Sequence, residues 1–170
     1  LFSAAIHKLP KGLFFNKNHT WLYMEKTGNA KIGIDNLLVQ LTGDVSINFL
    51  TKKDENVKKG DSIAEIIQGD KSLKIYSPVS GKVSAINNTI YSDAGLISKD
   101  PYGKGWMLEI EPQAWLEEIP SFFFAEKAKD WMQMELDRFK EFINLSLHKI
   151  NAPTEQFVLQ DGGELIDNVL

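Results

Sequence analysis

From Leu13 to about Ile110 the chain reads as a succession of short apolar runs, each closed within a few residues by a turn signal. Segments this short bury an apolar face only by pairing with one another, so the pattern points to a barrel or sandwich. Thr20-Trp21-Leu22-Tyr23-Met24 is rich in β-formers and runs into Thr27-Gly28-Asn29, a hairpin-type turn from which Ala30-Lys31-Ile32-Gly33-Ile34 returns. Asn36 to Leu41 predicts a helical turn closed by Gly43, and Val45 to Leu50 alternates as a half-buried strand does. After a turn at Val57–Asp61, two strands are expected over Ser62–Ile67 and Ser72–Ser77, joined through Gln68-Gly69-Asp70-Lys71. Pro78 and Gly81 mark the next bend. Lys82–Ile86 and Trp106–Ile110 supply two more strands, with an irregular loop between them. Trp21 and Trp106 are the residues large enough to fill much of a small barrel core.

Beyond Pro112 the periodicity becomes helical. Phe124, Ala128, Trp131, Met132, Leu136 and Phe139 begin an apolar stripe that continues through Phe142, Ile143 and Leu147, with charged residues opposite. This predicts an amphipathic helix from about Ala125 to Lys149, preceded by a short turn near Trp115–Ile119, capped by Ser121 and stopped by Asn151 and Pro153. The stripe most simply covers one side of the barrel; a partner helix or a dimer surface is its second use. The expected organisation is an N-terminal extension over 1–12, a β domain over 13–120, the helix over 121–150 and a tail over 151–170.

Composition narrows the function. A chain of 170 residues with 43% hydrophobic and 25% charged residues has enough for one buried core. A net charge of −4 gives no basic face for nucleic acid, since Lys52, Lys53, Lys58 and Lys59 are interleaved with Asp54, Glu55 and Asp61. The absence of cysteine excludes disulfides, thiolate metal sites, iron–sulfur clusters and a cysteine nucleophile. His7, His19 and His148 lack paired metal-ligand spacing. No phosphate-binding glycine loop, triad or acid–base pair is recognisable, so no catalytic residue and no enzymatic activity are expected. Apolar stretches fall short of the ~20 residues of a membrane-spanning helix. Leu1 in place of methionine, with the apolar Leu1–Ile6, reads either as the trimmed edge of an apolar segment or as a boundary within a linker.

Several segments resemble the H protein of the glycine cleavage system. His19-Thr20-Trp21 is similar to an early His-x-Trp strand of that family, and Ile32-Gly33-Ile34-Asp35 to its Gly-Ile-Thr/Asp segment. Leu41-Thr42-Gly43-Asp44-Val45 and Val57-Lys58-Lys59-Gly60-Asp61 resemble two of its turns. Pro78-Val79-Ser80-Gly81 matches its Pro-x-Ser-Gly motif, and Asp100-Pro101-Tyr102-Gly103-Lys104-Gly105-Trp106 nearly repeats its Asp-Pro-Tyr-Gly-x-Gly-Trp motif. The pieces occur in the family's order over roughly Phe14 to Met132.

The resemblance implies a mainly β fold with a C-terminal helix: a lipoyl-type barrel-sandwich hybrid. It also implies a lysine at the tip of a hairpin, whose amine forms an amide with lipoic acid. Counting eight residues back from Pro78, as the family pattern requires, reaches Asp70, and counting forward from Gly60-Asp61 gives the same register. The family's glutamate and serine upstream are here Ile67 and Gln68. Gly69-Asp70 is itself good type II′ turn chemistry, so the hairpin survives without its cargo. The expectation is a chain without cofactor, a scaffold whose hairpin tip (Gln68, Gly69, Asp70, Lys71) and helix meet a protein partner. The competing expectation is a carrier with lipoate on Lys71, brought to the tip by a bulge, moving an aminomethyl or other thiol-bound group between enzymes. His19 matches a family histidine near the cleft that shelters the arm. Partners would be glycine-cleavage-type or other lipoate-dependent enzymes. A cytoplasmic location is favoured, with an anchor upstream of Leu1 left open.

Overall fold

The computed structural model describes residues 9–35, Leu38 and 44–150. Outside the described residues lie most of the expected turn at Asn36–Leu41, the stop at Asn151 and Pro153, the tail, and His7. Ten strands form two antiparallel ladders among the described residues. They are β1 Leu13–Phe15, β2 Thr20–Met24, β3 Ala30–Ile34, β4 Ser46–Phe49, β5 Asn56–Val57, β6 Ser62–Gln68, β7 Lys71–Tyr76, β8 Gly81–Ile86, β9 Leu108–Pro112 and β10 Phe123–Phe124. The larger sheet runs β10-β1-β2-β3-β9-β8-β5 and the smaller β4-β6-β7. Leu22, Ile32 and Ile34 of the large sheet share one buried cluster with Ile47, Ile66 and Ile75 of the small one. This shared core makes the fold a sandwich, each buried aliphatic side chain contributing roughly 2 kcal/mol. A bulge at Ile63 lets consecutive Ile63 and Ala64 both enter the core, which strict alternation would forbid.

The two tryptophans sit elsewhere than expected. Trp21 belongs to a second cluster with Leu13, Phe15 and the C-terminal helix α4 (Glu126–Ile150), and Trp106 packs against it half-buried. Successive residues of a strand point to opposite faces: Leu22 faces the small sheet, whereas Trp21 faces α4. The large sheet is therefore covered on both sides. The helix buries Ala128, Trp131, Met132 and Leu136, but Leu147 is exposed and Ser146 takes the buried position, donating its hydroxyl to the carbonyl of Phe142 at 2.9 Å. Its bounds match the periodicity to within one residue.

Three local expectations are corrected. The irregular loop after β8 contains two short helices, α1 Thr89–Ser92 and α2 Gly95–Lys99, anchored by buried Ile90 and Ile97. Each is about one turn long, too short for a period to show. Phe124 opens no helix; it pairs with Phe14 in β10, and Ala125 at φ +56° then breaks the strand. Ser121 does not cap α4. It ends a 3-10 turn (Ile119–Ser121) that follows α3 (Trp115–Glu118), donating to the carbonyl of Glu118 and accepting from the Lys59 ammonium.

Gly81 is a strand residue rather than a turn residue, paired with Val57 on one side and Pro112 on the other. A Cβ there would lie 2.1 Å from the carbonyl oxygen of Glu111, a backbone atom that cannot swing away. Gly81→Ala is expected to cost about 2 kcal/mol, read as a lower urea midpoint. An unchanged midpoint would contradict this close approach.

Candidate functional site

The β6–β7 hairpin carries the position where the resemblance requires an amine. Gln68 pairs directly with Lys71, leaving Gly69 and Asp70 as the two turn residues. Gly69 takes φ +62° and Asp70 stays at negative φ, as a type II′ turn demands. The ladder's register shift lies at Ser62–Ala64, away from the tip, so the bulge that would carry Lys71 outward is not formed. Asp70 is exposed; Lys71 is the first residue of β7, half-buried and engaged with a neighbour. Lys74 is exposed but sits within the returning strand, opposite Glu65. An amide to lipoic acid needs a nitrogen nucleophile, and the two turn residues offer a backbone and a carboxylate. They do not fit that group.

The base of the hairpin is braced. Ser80 donates through its N–H and hydroxyl to the carboxylate of Glu118, at 2.8 and 2.7 Å. The hydroxyl of Ser80 in turn accepts the N–H of Lys59 at 2.9 Å. These bonds tie the bend after Pro78 to α3 and to the turn before β6.

His19 lies apart from the tip, at the end of the β1–β2 turn, in the left-handed conformation at φ +65°. Its Nδ1–H donates to Asp35 Oδ2 at 2.7 Å, and Nε2 lies 3.9 Å from Glu135 Oε2 of α4, a charge contact rather than a hydrogen bond. Asp35 is fully buried and also accepts the N–H of Leu38 at 2.9 Å. The Trp131 ring packs against the imidazole with centroids 4.9 Å apart. Burial by itself would lower the His19 pKa, but Asp35, with Glu135 adding to it, reverses this and holds it raised to about 10. The His19 imidazolium in turn lowers the Glu135 carboxyl. The three side chains form a charged seam between sheet and helix.

The sandwich finds its counterpart in known proteins. A family model described as "Glycine cleavage H-protein" matches residues 13–135. The chain belongs to the glycine cleavage H-protein family. A probable glycine cleavage system H protein of Pyrococcus horikoshii is 29% identical over 133 residues, covering 78% of this chain and 98% of that protein. A glycine cleavage system H protein of Listeria monocytogenes is 36% identical over 103 residues, covering 61% of this chain and 82% of the relative. The crystal structure of a glycine cleavage system H protein from Mycobacterium marinum superposes with a TM-score of 0.63 at 22% identity, over 72% of this chain and 98% of the other, which establishes the shared fold.

Within this H-protein fold Gln68–Lys71 form the two-residue hairpin turn, and His19 lies in the seam with Asp35 and Glu135. That Glu135 and Trp131 meet His19 escaped the sequence reading, because a helical stripe shows which residues are covered but not which turn they cover. The histidine facing them was the available signal: a buried imidazole needs a carboxylate or a carbonyl. Among the described residues no group of histidine and carboxylate side chains is arranged to hold a metal, and no helix is long and apolar enough to cross a membrane.

Proposed function

We propose that this member of the H-protein family is a docking module that carries no lipoyl group and performs no reaction of its own. The observation that supports this most directly is Asp70 in the exposed second position of a two-residue turn, with Lys71 paired inside the ladder. A carboxylate cannot form the amide, and the neighbouring Ile67 and Gln68 replace the glutamate and serine of the family pattern. The braced hairpin remains a rigid projection, with Gln68–Lys71 and the C-terminal helix as the surfaces offered to a partner of the glycine-cleavage or another lipoate-dependent kind.

Intact-mass analysis after co-expression with a lipoate ligase tests the reading. The native chain is expected to stay unmodified under conditions that fully lipoylate an ordinary H protein. The variant Ile67→Glu/Gln68→Ser/Asp70→Lys, which rebuilds the family pattern on the same turn, is expected to gain one lipoyl adduct at position 70. A lipoyl adduct mapped to Lys71 of the native chain would overturn the proposal and make the chain a carrier of thiol-bound groups.

A further inference from the structure

The helix does not cover the whole outer face of the large sheet. Beyond it a cavity of about 540 Å³ opens between β2, β3 and the Asp100–Trp106 loop. None of its lining residues belongs to the hairpin tip or to the His19–Asp35–Glu135 seam. Its volume is that of a small-molecule site.

Its walls combine aromatic surface with an excess of cations. Trp21 is buried, Trp106 half-buried and Tyr23 exposed, so ring surface extends from the interior to the mouth. Both carboxylates in the lining have a neighbour of opposite polarity in the wall. Asp100 accepts the backbone N–H of Lys104 at 2.8 Å within its own turn. Glu25 Oε1 faces the Lys31 ammonium at 3.8 Å, and that ammonium also lies 5.1 Å from the centroid of the Trp106 ring. The other two lysines of the lining, Lys11 and Lys104, are exposed, and neither joins an ion pair among the described residues. One acceptor is left over: Glu25 Oε1 is a buried atom with no hydrogen-bond donor, its contact to Lys31 being too long for one.

We propose that this cavity binds a small aromatic acid carrying a ring N–H or hydroxyl donor. The acid group meets Lys11 and Lys104, the ring lies against Trp106 and Tyr23, and the ring donor satisfies Glu25 Oε1. The charge excess selects an anion over a cation of the same shape, and the orphaned oxygen selects a ring with a donor over one without.

Calorimetric titration with indole-3-propionate tests this, alongside NMR of the indole N–H signals of Trp21 and Trp106. Saturable binding at one site per chain is expected, with shifts at both tryptophans. Tryptamine, the same ring with a cationic tail, is expected to bind at least about tenfold more weakly, a factor worth about 1.4 kcal/mol. The double variant Lys11→Glu/Lys104→Glu changes two exposed side chains, so it should fold normally by circular dichroism and lose about tenfold in affinity. The proposal is overturned by the absence of saturable binding, by tryptamine binding as well as the acid, or by undiminished affinity in the folded double variant. Equal binding of naphthalene propionate, which lacks the ring donor, would overturn the part assigned to Glu25.

Discussion

Trp21→Ala is expected to lower the stability of the chain by about 4 kcal/mol. Only 1% of the Trp21 surface reaches solvent, and its ring lies flat across Gly33, where a Cβ would come within 2.6 Å of it. Phe15 stands opposite it on β1, and Met132 and Leu136 of α4 belong to the same buried cluster. Its indole N–H donates to the carbonyl of Pro101 at 3.0 Å, fastening the Asp100–Trp106 loop onto the sheet from outside. Asn87 holds the same loop from the other side, donating to the carbonyls of Lys104 and Trp106 at 2.9 and 2.7 Å. Alanine would thus empty a cavity between sheet and helix and release one of the loop's fastenings. Trp21→Phe separates these roles: it keeps most of the ring and loses the N–H, for an expected cost of about 2 kcal/mol. Urea unfolding of both variants measures the difference. A loss below about 1 kcal/mol for Trp21→Ala would mean that α4 and the loop do not rest on this residue.

The features that sequence reveals here are those whose physics is local. A two-residue turn is specified by Gly69-Asp70 itself, so the register of β6 on β7, and with it Asp70 at the tip, followed from a few consecutive residues. The long helix was equally legible, because its stripe repeats over many turns. What escaped depends on choices between faces and between distant segments. Alternation marks Trp21 and Leu22 as opposed, yet it cannot say that both faces are buried until α4 is known to return to the outer one. Phe124 reads as the start of a helical stripe because the apolar run continues into it, but an open edge beside Phe14 and Phe15 draws it, with Phe123, into a strand. The His19–Glu135 contact joins the first turn of the fold to its last helix. The site is therefore legible where it is a hairpin and hidden where it is an interface.

His19→Asn is expected to cost about 3 kcal/mol at neutral pH, because it strips the counter-charge from a buried carboxylate. Asparagine tolerates the φ of +65° that His19 adopts, so backbone strain adds little and the loss reports the charged seam. Asp35 is fully buried, and without the imidazolium the N–H of Leu38 is left to bond its carboxylate. Glu135 loses its attraction to the sheet, and Trp131 loses one of the two rings it packs on, keeping Phe123. The pH dependence follows from the raised pKa. Unfolded, His19 titrates near its ordinary 6.5; folded, it holds its proton to about 10. Its stabilisation is thus fully present below pH 6.5, where both states are protonated, and is lost as pH rises through about 10, because folding then requires proton uptake. The lowered Glu135 carboxyl acts at the other end, stabilising above its ordinary 4.5 and losing that contribution as the pH falls below it. The stability gap between native chain and His19→Asn should therefore be widest near pH 6 and narrow steadily towards pH 10. Urea unfolding of both proteins across that range measures it, with the exposure of Trp131 followed by fluorescence. A gap that stays constant from pH 6 to pH 10 would show that the seam holds the helix by packing alone, with no contribution from charge.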